Sequence, residues 1–146
     1  HFESPDVGTL LRKFIGNYFV LGLHQHLARE ILMLLTTESY SNATLVTVLE
    51  NRIDAASAIA FKDQMREIVN TNSPRVIIDL EKVEFIDNSG LGAVVAVMKL
   101  LGPDQTMELT SLTNAVQKVF QLTRMDTIFT IHPNTSDATE GLRATG

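Results

Sequence analysis

Residues 76–92, Val-Ile-Ile-Asp-Leu-Glu-Lys-Val-Glu-Phe-Ile-Asp-Asn-Ser-Gly-Leu-Gly, constrain the fold more than any other stretch of this chain. Val76 to Leu80 is a nearly continuous apolar run, the composition of a strand covered on both faces. Shortly after it, Asp87-Asn88-Ser89-Gly90-Leu91-Gly92 has the marks of a helix start, with Ser89 expected as the N-cap and the glycines allowing close backbone approach. A buried strand that runs so quickly into a helix belongs to a layered α/β structure.

The rest of the chain alternates in the same way. Residues 1–8 read as an extended lead-in and 9–35 as a helix, with Val20, Leu23, Leu27, Ile31 and Leu34 along one stripe. That stripe needs cover, from its own domain or from a second copy, and a homodimer through this helix is the favoured expectation. Thr36–Asn42 is polar and turn-rich, which makes it the expected linker. The chain thus divides into an N-terminal helical extension with its linker, residues 1–40, and a compact domain, residues 41–146. Met33 also suits a chain start, which would make residues 1–32 an accessory extension.

Within the compact domain Leu45–Leu49 suits a strand, and Asp54 is placed to cap a helix whose apolar face is Ala58, Phe61, Met65 and Ile68 or Val69. The helix opened by Ser89 turns Leu91, Val94, Val95, Met98 and Leu101 inward and stops at Gly102-Pro103. A strand at Met107–Thr110, a helix with Leu112, Val116, Val119 and Phe120 on one face, and a strand at Ile128–Ile131 complete the alternation.

Several functions are disfavoured. A net charge of -5 does not suit a phosphate-backbone binder, so no nucleic-acid partner is expected. The most apolar stretch, Phe14–Leu23, is broken by Gly16 and Asn17 and falls short of the roughly 20 residues of a membrane span. The absence of cysteine removes disulfides and thiolate metal sites and agrees with a cytoplasmic location. His24 and His26 point to different helical faces, His132 is isolated, and Glu81, Glu84 and Asp87 read as loop carboxylates, so no metal is expected. Met98 and Phe120 suit core packing better than a cofactor pocket, and no cofactor is expected.

Ser89 is the residue with chemistry to offer. A helix N-terminus presents unpaired N–H groups and the positive end of the dipole, so it tolerates a phosphate on an exposed hydroxyl. The added charge of about -1.5 to -2 beside Asp87 would repel an acidic contact. On helix-start chemistry alone a plain cap is the favoured reading of the same residues. A hydrolase nucleophile is disfavoured, because the G-x-S-x-G elbow is missing and no histidine base is identified.

Val-Ile-Ile-Asp-Leu followed by Val-Glu-Phe-Ile-Asp-Asn-Ser-Gly-Leu-Gly resembles the signature of the bacterial anti-sigma-factor antagonists, the STAS domain family. The resemblance covers about residues 43–143, including Arg52-Ile53-Asp54-Ala55 and Leu122–Phe129. It implies a STAS-like α/β sandwich with a mixed, mostly parallel sheet of four to five strands. It also implies partner switching: the unphosphorylated antagonist binds an anti-sigma factor that is also a serine kinase, phosphorylation releases it, and a serine phosphatase restores it. Ser89 matches the phosphorylated serine, Asp87 the acidic residue before it, and Asp54 an acidic residue of the neighbouring loop. Asn88, Gly90 and Leu91 complete the implied partner-binding set. The family commonly carries a second hydroxyl residue just before the acceptor, where this chain has Asn88. Such a protein is substrate and ligand, not enzyme. The competing expectation is a non-switching STAS scaffold, part of a signalling assembly or lipid-transport complex, in which Ser89 only caps.

Overall fold

The computed structural model describes Met33 and residues 35–143. Contacts divide the chain into His1–Leu32 and Met33–Gly146. The helix expected over residues 9–35, its homodimer contact, and His24 and His26 fall outside the described residues, except that Leu35 opens a strand.

In chain order the elements are β1 (Leu35–Ser39), β2 (Ala43–Val48), β3 (Arg52–Ile53), α1 (Ala58–Val69), β4 (Arg75–Asp79), β5 (Phe85–Ile86) and α2 (Asn88–Met98), followed by β6 (Thr106–Thr110), α3 (Asn114–Leu122), β7 (Thr130–His132) and α4 (Thr135–Ala138). Five strands form one sheet in the order β1-β2-β4-β6-β7, and β3 pairs with β5 in a separate two-stranded ribbon. Only β1 runs antiparallel to its neighbour; the β2-β4, β4-β6 and β6-β7 pairs are parallel. The expected α/β sandwich with a mixed, mostly parallel sheet is what the chain forms.

The apolar run of β4 explains the centre of the sheet. Val76 and Ile78 face the main core, where they join Val46, Val48, Leu109, Phe61, Met65, Val94, Val97, Val116 and Phe120. Ile77 points to the opposite face, with Ala43, Leu45 and Ala138. Successive side chains alternate across a strand, so a strand covered on both sides is apolar at every position.

Two expectations change. Thr36–Asn42 does not form a linker throughout: Thr36 to Ser39 belong to β1, in register from Leu35 opposite Val48 to Ser39 opposite Thr44. An edge strand needs cover on little of its surface, and threonine suits extended backbone, so a polar sequence suffices there. Just before β1, the buried Met33 donates its backbone N–H to Gln64 Oε1 at 2.7 Å. The last strand also shifts, because Met125–Thr127 forms a 3-10 turn after Arg124, which adopts a left-handed conformation at φ 63°. Ile128 is left at the surface while Phe129 packs edge-on against Phe120, and β7 begins only at Thr130.

The second sheet face carries a charged network. Arg75 on β4 donates from Nε to Glu108 Oε2 at 2.7 Å and from Nη2 to Glu108 Oε1 at 2.6 Å, and also reaches the Ala138 carbonyl at 2.9 Å. His132 Nε2 donates to Glu108 Oε1 at 2.8 Å. One carboxylate thereby ties β4, β6, β7 and α4 together. The Arg75 hydrogen bonds, helped by His132 and opposed by burial, hold the Glu108 carboxyl below its ordinary value of 4.5. A carboxyl lowered in the folded state adds stability that is present above its unfolded pKa and is lost as pH falls through the folded one. Glu108→Gln is therefore expected to destabilise the domain by on the order of 2 kcal/mol at pH 7. The gap from wild type should narrow as pH drops below about 4. Urea denaturation across pH 3 to 7 reads both effects, and a gap independent of pH would contradict this role for the network.

Candidate functional site

The site is built where the β3-β5 ribbon feeds two helices. Arg52 lies opposite Phe85 and Ile53 opposite Ile86. Ile53 and Ile86 enter the main core. Arg52 and Phe85 take the outward face, with the guanidinium carbon 4.3 Å from the ring centroid.

Asp54 follows β3 and organises the turn that leads into α1. Its Oδ1 accepts from the backbone N–H of Ala56 at 3.1 Å and of Ser57 at 3.3 Å, and its Oδ2 accepts from Arg52 Nε at 2.9 Å. Arg52 first, then these backbone donors, hold the Asp54 carboxyl below its ordinary value. Asp54 was expected to cap the helix directly, but α1 begins at Ala58 with Ser57 as N-cap. An extra turn intervenes because the Asp54 carbonyl also accepts from the N–H groups of Ser57 and Ala58.

At the end of β5, Asp87 performs the capping that was expected of Ser89. Its Oδ1 accepts from Gly90 N at 2.8 Å, and its backbone is extended, as an N-cap requires. Aspartate and serine cap about equally well, so the neighbourhood decides between them. The second Asp87 oxygen accepts from Ala55 N at 3.2 Å, and Asp87 N donates to Ile53 O at 3.4 Å. Asp87 thus clamps the Asp54 turn to the start of α2, an arrangement unavailable to Ser89 two residues later.

Gly90 explains why the helix starts so close to the ribbon. A Cβ there would lie 1.9 Å from the Ile53 carbonyl oxygen and 2.7 Å from its carbon. Gly92, by contrast, meets nothing within 4 Å, so only one glycine of the motif serves close approach.

Ser89 is therefore the second residue of α2, exposed to solvent, and its hydroxyl has no hydrogen-bond partner among the described residues. Asn88 is exposed beside it and Asp87 half-buried, whereas Gly90 and Leu91 are buried and support the site from beneath. Asp54, Asp87 and Ser89 come together on one surface. Arg52 and Phe85 lie on the outward face of the adjoining ribbon, with Arg52 bonded to Asp54, and sequence reasoning assigned them no role. Two opposite charges two residues apart, Arg52 and Asp54, were the available signal.

Among the described residues no group of three His, Asp or Glu is placed to hold a metal ion, and no helix is long and apolar enough to cross a membrane.

Residues 35–138 match the STAS domain family. The anti-sigma-F factor antagonist RsfB of Mycobacterium tuberculosis is 26% identical over 102 residues, which cover 70% of this chain and 84% of RsfB. The crystal structure of an anti-sigma factor antagonist from Mycobacterium paratuberculosis aligns with a TM-score of 0.67 at 26% identity, over 73% of this chain and 90% of that one. An anti-sigma-factor antagonist (STAS) domain protein from Planctomyces limnophilus shares the fold, with a TM-score of 0.66 at 20% identity over 71% of this chain and 93% of that one.

The two glycines should respond oppositely to alanine. Gly90→Ala must force the ribbon and α2 apart and is expected to cost about 3 kcal/mol or more. Gly92→Ala, at an exposed helical position, is expected to stabilise by roughly 0.5–1 kcal/mol. Chemical denaturation of both variants checks this, and similar effects at both positions would contradict the close contact at Gly90.

Proposed function

This chain belongs to the STAS domain family, and on that premise we propose that it is an anti-sigma-factor antagonist that works by partner switching at Ser89. With a free hydroxyl at Ser89, it binds an anti-sigma factor that is also a serine kinase. The kinase transfers the terminal phosphoryl group of ATP to Ser89 Oγ; an O–P bond forms, ADP leaves, and the hydroxyl proton passes to a base of the kinase. The phosphorylated chain then lets go, and a serine phosphatase returns it to the binding form. The description of RsfB and of the Mycobacterium paratuberculosis protein as antagonists of anti-sigma factors supports this reading.

The observation that carries it is the division of labour between Asp87 and Ser89. Asp87 holds the helix start, so the exposed Ser89 hydroxyl can be modified without removing the cap. A phosphate there sits in the first turn, where the helix dipole favours negative charge, and the fold tolerates it. The same phosphate adds about -1.5 to -2 charges next to Asp87 and Asp54, which an acidic or closely packed partner surface does not tolerate. The modification thus acts on binding while sparing the domain.

Incubation with the partner kinase and ATP is expected to place a single phosphate on Ser89, mapped by mass spectrometry. Ser89→Ala should bind the kinase as wild type does and stay bound when ATP is added. Ser89→Asp should bind at least about tenfold more weakly, a loss of roughly 1.4 kcal/mol, with an unchanged circular dichroism spectrum. Calorimetric titration decides the matter: equal affinities for the alanine and aspartate variants, or phosphate on another residue, would overturn the switch.

A further inference from the structure

Arg52 lies on the short ribbon strand that meets the start of α2. It lies in register with Phe85, and the next residue, Ile53, presents the carbonyl against which Gly90 packs. Ser89 immediately precedes Gly90, and the bond from Ala55 N to Asp87 Oδ2 holds the two segments side by side. Arg52 thus belongs to the strand that α2 touches at its first turn.

Its present engagement is light. Among the described residues the Arg52 side chain makes one hydrogen bond, from Nε to Asp54 Oδ2 at 2.9 Å, and 53% of it is exposed. Its two terminal nitrogens have no partner among the described residues. Among the described residues, Arg75 is held by Glu108 on the second sheet face, Arg66 is held by Asp63 on α1, and Lys82 sits in the turn before β5.

We propose that Arg52 is the receiver of the Ser89 phosphate: on phosphorylation its guanidinium leaves Asp54, binds the phosphoserine, and uncovers the Asp54 carboxylate. This rests on the reading of Ser89 as the modified residue.

The exchange follows from charge and shape. A phosphate near neutral pH carries up to twice the charge of a carboxylate and offers three acceptor oxygens, which the planar guanidinium fork meets in bidentate fashion. The Phe85 ring supplies a platform on which the guanidinium can pivot without losing its stacking contact. Asp54 loses little order when Arg52 leaves, because its Oδ1 still accepts from Ala56 and Ser57. The turn into α1 survives while its outer oxygen becomes bare. Phosphorylation then changes the surface at two places, adding charge at Ser89 and unmasking it at Asp54.

The test uses the full chain with phosphoserine installed at position 89 by genetic encoding, so that no kinase is needed. Phosphorus NMR titration reads the second ionisation of the phosphate, which lies near 6 in free phosphoserine. In the otherwise wild-type chain Arg52 should lower it, and Arg52→Gln should raise it by on the order of 0.5 unit relative to that chain. Lys82→Gln should leave it in place. Asp54→Asn removes the competing carboxylate, so Arg52→Gln made in that background should produce a larger rise than in the Asp54 chain. Amide NMR spectra of retained dispersion establish that each variant is folded. An ionisation unchanged by Arg52→Gln, or one moved instead by Lys82→Gln, overturns the role of Arg52. Those results leave Ser89 as a kinase substrate untouched, whereas failure of a kinase to modify Ser89 would sink the switch and leave the phosphate contact standing.

Discussion

The functional surface depends on one close approach, the packing of Gly90 against the Ile53 carbonyl. Because a side chain at position 90 would collide with backbone, only glycine lets α2 start directly against the ribbon. Once that contact is made, Asp87 can reach both Gly90 and Ala55. The Asp54 turn and the α2 start then become a single structure rather than two independent loops. Ser89 rides on its outer side, carrying none of the bonds that hold it together.

The sheet is secured elsewhere. Its main core is built from alternating residues of β2, β4 and β6 under the helices, and its second face is pinned by Glu108 through Arg75 and His132. Neither set includes the outward groups of the ribbon. A charge placed on Ser89 therefore acts on a surface already fixed by burial and capping, as the proposed partner switch requires. In the proposed switch, regulation by charge and stability by burial fall to different residues.

Much of this was legible in the chain. The nearly continuous apolar run Val76–Leu80 announced a strand covered on both faces, and the spacing of Ala58, Phe61 and Met65 announced the buried side of α1. The triplet Asp87, Asn88 and Ser89 announced a helix start, yet not which residue caps it, because that choice rests on a tertiary bond to Ala55. Gly90 and Gly92 look alike in sequence and differ only in what lies above them. β1 was hidden by its polarity, since an edge strand shows little apolar alternation. Arg52 and Phe85 meet only through the register of two very short strands, for which local sequence carries almost no signal.

The central claim is that modifying Ser89 rewrites a surface without rewriting the fold. Amide NMR spectra of the chain with serine and with phosphoserine at position 89 test it directly. Shifts are predicted to be confined to the ribbon, the Asp54 turn and the first turns of α1 and α2, while the strands and the Arg75–Glu108 network keep their resonances. Changes spread across the sheet, or loss of dispersion, would contradict it.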